Sequence, residues 1–149
     1  MKFVVTGGAG FIGSNLVDYL VEKGYKVEVI DNFSSGKKEN CNPNVVYHEI
    51  DLSDEKNFNE IKKILKNVNG VFHLAAFPRV QESIENPLIF EKNNTLSTVN
   101  ILKACSDVGV KRLVYSASSS AYGNTVSLPS KETDPVDPIS PYAMQKYYG

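Results

Sequence analysis

The stretch Thr6-Gly7-Gly8-Ala9-Gly10-Phe11-Ile12-Gly13, set between a short apolar run and a helical pattern, constrains this chain more than any other. Gly7, Gly10 and Gly13 give a GxxGxxG spacing, while Gly8, Gly10 and Gly13 give GxGxxG. Without side chains the backbone can turn sharply and approach a pyrophosphate, whose charge is met by amides at the N-terminus of the helix that follows. The second apolar run, residues 26–30, ends on Asp31, eighteen residues past Gly13. A carboxylate there accepts hydrogen bonds from ribose hydroxyls and repels a 2'-phosphate. The expected ligand is therefore a dinucleotide, NAD in preference to NADP, although Lys37 and Lys38 offset part of that repulsion. No lysine followed by Ser or Thr closes the glycine stretch, which excludes a P-loop nucleotide triphosphatase.

The rest of the chain repeats the same pattern of short apolar runs followed by helical periodicity, as βαβ units around a parallel sheet require. Strands are expected at residues 2–6, 26–30, 45–50, 71–75 and 111–116. A first helix over 11–23 is expected to pack on the sheet through Phe11, Ile12, Leu16, Val17, Leu20 and Val21, with Gly24 as its stop. Ser53 is placed to cap a second helix carrying Phe58, Ile61, Ile64 and Leu65. A long helix runs from Pro87 to Val108, and Ser140-Pro141 opens a last one after a proline-rich, acidic loop over 123–139. The 149 residues form one expected domain, 1–149, with no repeat.

A net charge of −1 gives no general attraction to nucleic acid or anionic lipid, so any phosphate must be held locally. No apolar run approaches the roughly 18 residues of a membrane span. The two cysteines, Cys41 and Cys105, have no metal spacing and are expected as free thiols in a cytoplasmic protein.

Tyr142 and Lys146 stand i, i+4 on the last helix, so their side chains share a face. An ammonium beside a phenol favours the phenolate, which can take a proton from a sugar hydroxyl. A serine hydroxyl from the cluster Ser118-Ser119-Ser120 after the fifth strand would orient the same hydroxyl. Alone, such a YxxxK pair is common on exposed helices; the glycine turn, Asp31 and the serine cluster make it informative. A non-catalytic NAD-binding module is the reading of another class.

These motifs, with Asp31-Asn32, Asp51-Leu52, His73-Leu74-Ala75-Ala76, Ser118-Ser119-Ser120-Ala121-Tyr122-Gly123 and Pro141-Tyr142-Ala143-Met144-Gln145-Lys146, resemble the extended short-chain dehydrogenase/reductase family of NAD-dependent nucleotide-sugar epimerases and dehydratases. The resemblance spans the chain and implies a Rossmann-type doubly wound α/β sheet of about five strands without the C-terminal substrate domain. It implies a catalytic Ser118, four residues before Tyr122, with Tyr142 and Lys146. It also implies cofactor contacts from Gly7, Gly10, Phe11, Ile12, Gly13, Asp31, Asn32, Asp51, Leu52, Leu74, Ala75, Ala76, Asn94, Tyr142 and Lys146. His73 is expected as a packed strand-end residue rather than a base.

Similar enzymes oxidise the sugar at C4 and part ways at the 4-keto intermediate. The dehydratases carry Asp-Glu after the catalytic residue and the decarboxylases a Glu, where this chain has Ser119 and Ser120. That difference favours a 4-epimerase of a UDP-hexose, with glucose/galactose or their N-acetyl forms as substrate, over a dehydratase or decarboxylase. The segment Pro78-Arg79-Val80-Gln81-Glu82-Ser83 points the same way, with Arg79 meeting either a substrate phosphate or Glu82. The resemblance further implies a homodimer in the complete protein, paired through residues 87–108 and 141–149. Because family members run to roughly twice this length and the chain stops three residues after Lys146, it is expected to be a fragment or truncation, inactive by itself.

Overall fold

The computed structural model describes residues 1–125 and 128–149; Val126 and Ser127, within the expected 123–139 loop, lie outside the described residues. Five strands, β1 (Lys2–Thr6), β2 (Lys26–Asp31), β3 (Val46–Glu49), β4 (Gly70–His73) and β5 (Leu113–Tyr115), form one sheet in the order β3-β2-β1-β4-β5. Every pairing is parallel, with Phe3 opposite Val27 on one side of β1 and opposite Gly70 on the other. Connections leave β1 toward β2 and return through β4, so the strand order reverses beside β1. Ligands of such sheets bind at that switch point, outside the carboxyl ends of the strands.

Side chains alternate across the sheet and build two cores. Val4, Ile30 and Val71 pack with Ile61, Leu65, Ile101 and Ala104 on the face covered by α2 (Phe58–Ile64) and α5 (Ser97–Val108). On the opposite face Val5, Val27 and Val29 meet Val17 and Leu20 of α1 (Phe11–Glu22). The doubly wound expectation holds. α1 departs from it in one respect: its contact runs through Gly13, Ser14, Val17 and Leu20, while Phe11 and Ile12 are 83% and 65% exposed at the helix mouth.

The second helix also starts differently. Asp54, not Ser53, caps the short turn Glu55–Asn57 ahead of α2, because the Ser53 amide and hydroxyl are already spent on Asp51 Oδ1 at 2.9 and 2.6 Å. A short helix that the periodicity did not announce, α3 (Val80–Glu85), precedes the long helical stretch. That stretch runs as α4 (Pro87–Phe90), a π-helical turn (Glu91–Leu96) and α5. π-turns widen the helix and leave misaligned carbonyls; here the Ser97 and Thr98 hydroxyls bond back to Asn93 and Asn94 oxygens. The last helix, α6 (Pro141–Tyr148), opens as expected, with Ser140 Oγ accepting from the Ala143 amide at 3.1 Å.

Candidate active site

A cleft of about 730 Å3 opens at the carboxyl edge of the sheet above the β1 switch point. Its floor is the glycine turn. Gly7 has φ +70, and a Cβ there would lie 2.8 Å from the Ala75 backbone nitrogen. At Gly13 a Cβ would lie 2.1 Å from the Gly7 carbonyl oxygen, so only glycine lets α1 seat this close to the turn. Gly10 is the N-cap and brings no side-chain cap, so the first-turn amides of α1 keep no internal partner. They point into the cleft beside Phe11 and Ile12, as an anion requires.

Asp31 closes one end. Its Oδ2 accepts from the Ala9 amide at 2.9 Å and its Oδ1 from the Phe33 amide at 2.8 Å, so it ties the glycine turn to the β2 loop. A carboxylate offers about four lone-pair directions, which leaves two for a ligand's hydroxyls. Asn32, Asp51 and Leu52 line the same end, with Asp51 Oδ2 3.8 Å from Lys92 Nζ. Leu74, Ala75 and Ala76 line the other wall. Ser34, Ser35, Phe77 and Ser116 also border the cleft; nothing in their local sequence announced them. Arg79 and Glu82 face it as a solvent-exposed pair 2.8 Å apart.

Asn94 lies behind Phe77 of the cleft wall. It is 1% exposed, and its side chain is used up inside the protein. Oδ1 accepts from the Phe77 amide at 2.7 Å, and Nδ2 donates to the Phe77 carbonyl and to Gln145 Oε1. Its neighbour Asn93, in the same π-turn, lines the cleft.

Ser118 and Lys146 border a second recess of about 520 Å3 beside β5, together with Tyr115 and Tyr122. Ser118 caps the turn Ser119–Tyr122, its Oγ accepting from the Ser120 amide. Lys146 reaches back to the end of β5: Nζ donates to the Ser116 carbonyl at 2.7 Å and sits 4.9 Å from the Tyr115 ring centre. Burial pulls its pKa from 10.5 to about 8. Since Ser116 lines the main cleft, the ammonium stands at the join of the two recesses. Tyr142 is buried, its amide held by Ser83 Oγ at 3.1 Å, and borders neither recess.

His73 sits under this join, 1% exposed, and its partners fix its tautomer. The single Thr98 hydroxyl proton goes to the Asn94 carbonyl, so Thr98 Oγ1, 3.1 Å from Nε2, must accept from it. Nδ1 then accepts from the Thr6 hydroxyl at 2.7 Å, and Thr6 Oγ1 in turn takes the Ala75 amide. Desolvation first, and the nearby Lys146 charge second, hold the imidazole neutral with a pKa of about 3.

Residues 3–149 match the model of the NAD dependent epimerase/dehydratase family. The chain belongs to that family. It is 37% identical over 147 residues to the UDP-glucose 4-epimerase of Streptococcus mutans, an alignment covering 98% of this chain and 44% of that protein. The Thermotoga maritima UDP-glucose 4-epimerase, solved with UDP-glucose, superposes with a TM-score of 0.92 at 42% identity over 99% of this chain and 48% of the other. The UDP-N-acetylglucosamine 4-epimerase of Methanobrevibacter ruminantium, in complex with UDP-N-acetylmuramic acid, gives 0.90 and 42% over 98% and 47%. The chain thus spans about half the length of the relatives it matches. The glycine turn, free helix amides and two-coordinate Asp31 fit the family's NAD. No described helix is long and apolar enough to cross a membrane.

Proposed function

We propose that the protein carrying this chain is a nucleotide-sugar 4-epimerase acting on a UDP-hexose, with this chain furnishing its NAD-binding half. The observation that carries the reading is a cleft running from Asp31 over the glycine turn to Ser116, whose carbonyl accepts from the Lys146 ammonium of the neighbouring recess, where a serine turn holds no acid. Bound NAD would supply a hydride acceptor for the sugar carbon. Gly7, Gly10 and Gly13 admit the diphosphate to the first-turn amides, and Asp31 holds ribose hydroxyls.

Tyr142 takes the sugar hydroxyl proton, Lys146 on the same helix face favours its phenolate, and Ser118 orients that hydroxyl. Ser119 and Ser120 provide hydroxyls where a dehydration needs a stronger acid, which supports epimerisation over loss of water. Pairing of two copies through α4 to α6 is part of the same reading, supported by the exposed apolar side chains Leu88, Leu102, Met144 and Tyr148.

Chromatographic assay of the complete protein with UDP-galactose and UDP-N-acetylgalactosamine is expected to show conversion to the 4-epimer. Tyr142→Phe and Ser118→Ala are each expected to lower kcat by about 10²–10⁴-fold with NAD affinity kept. Unchanged activity in both variants would make the chain a binding module, and release of water from the sugar would make it a dehydratase.

A further inference from the structure

Gln145 lies one residue before Lys146, is 5% exposed, and turns both ends of its amide to one element. Its Oε1 accepts from Asn94 Nδ2 at 2.9 Å, and its Nε2 donates to Glu91 Oε2 at 3.1 Å. Both partners belong to the π-turn. Through Asn94 the same contact reaches the Phe77 backbone in the wall of the main cleft.

We propose that Gln145 is a positioning residue: its amide clamps the last turn of α6 to the π-turn and so fixes the Lys146 ammonium at the Ser116 carbonyl beside the cofactor cleft. The inference rests on the proposed function for its catalytic meaning, but the clamp itself is a property of this chain. Two anchors hold the start of α6, Ser140 at the cap and Ser83 at the Tyr142 amide. Neither reaches its last turn. There the Gln145 clamp and the Lys146 contact to Ser116 are adjacent in sequence and diverge to different elements, so they fix rotation about the helix axis. Without the clamp, the last turn can roll and bring the Lys146 ammonium into water.

Amide exchange and the titration of 15N-lysine-labelled Lys146 read this directly in the chain as it stands. In Gln145→Met, which keeps length and apolar bulk, the Lys146 pKa is expected to climb from about 8 toward the 10.5 of an exposed ammonium, and the amides of α6 to exchange faster. The exposed variant Glu91→Ala, which threatens folding least, is expected to move both in the same direction by less. Gln145→Glu alone sets two carboxylates together; adding Glu91→Gln supplies a donor again and is expected to restore the wild-type titration. A Lys146 titration unchanged in Gln145→Met and Glu91→Ala, or no restoration in the double variant, overturns the clamp. Loss of NAD binding by the unaltered chain would instead fault the proposed function.

Discussion

Gly13→Ala is expected to lower NAD affinity by at least about 100-fold and to destabilise the chain by about 1–3 kcal/mol or more. The added methyl would lie 2.1 Å from the Gly7 carbonyl oxygen and 2.8 Å from the Gly8 Cα, both backbone atoms that cannot rotate aside. α1 must lift off the turn, which withdraws the first-turn amides from the diphosphate and opens the contact of Val17 and Leu20 with the sheet. For stability Gly10→Ala is the comparison: its methyl would meet the same oxygen at 3.3 Å, a protein contact that a few tenths of an ångström relieve. Calorimetric NAD titration and thermal unfolding of the two variants check this. Equal affinity in Gly13→Ala and wild type would remove the glycine turn from the binding account.

Acid is expected to unfold the protein through His73. The folded pKa of about 3 lies below the 6.5 of an unfolded histidine, so the unfolded chain takes up a proton that the folded one refuses. The contribution is complete above pH 6.5 and is lost as pH falls toward 3, by about tenfold in the folding constant per pH unit. At pH 4.5 the expected loss is about 3 kcal/mol. Titrating carboxylates add their own slopes, so the measurement is the difference between wild type and His73→Asn in urea unfolding from pH 7 to 4.5. Wild type should lose its advantage over that range; parallel curves would contradict a buried neutral imidazole.

The parts of this site that were legible in the sequence are those set by local backbone chemistry. Gly7, Gly13 and Asp31 declare themselves because a turn against a helix N-terminus tolerates few residues, and Ser140-Pro141 because an N-cap is decided within four residues. Strand positions followed from apolar runs, to within a residue or two. What stayed hidden depends on partners distant in the chain. Thr6 and Thr98 lie 67 and 25 residues from His73, and Gln145 lies 51 from Asn94.

The resemblance implies a cofactor contact for Asn94, and its hydrogen bonds to Phe77 and Gln145, distant in the chain, are not readable from helical periodicity. Phe11 and Ile12 carry two expectations, core packing from helical register and cofactor contact from the resemblance; the first turn of α1 leaves both exposed at the cleft instead of in the core. Ser53 lost the cap to Asp54 because Asp51 had claimed it two residues earlier.

The central claim, that a dinucleotide lies over the β1 switch point with its diphosphate on α1, is tested most directly by adding NAD to 15N-labelled protein and following the backbone amides. The largest shifts are expected at Gly10 to Gly13, Asp31, Asn32, Ala75 and Ala76, with NADP reproducing them only at much higher concentration. Saturation by NAD that leaves those amides in place and moves others would contradict the account.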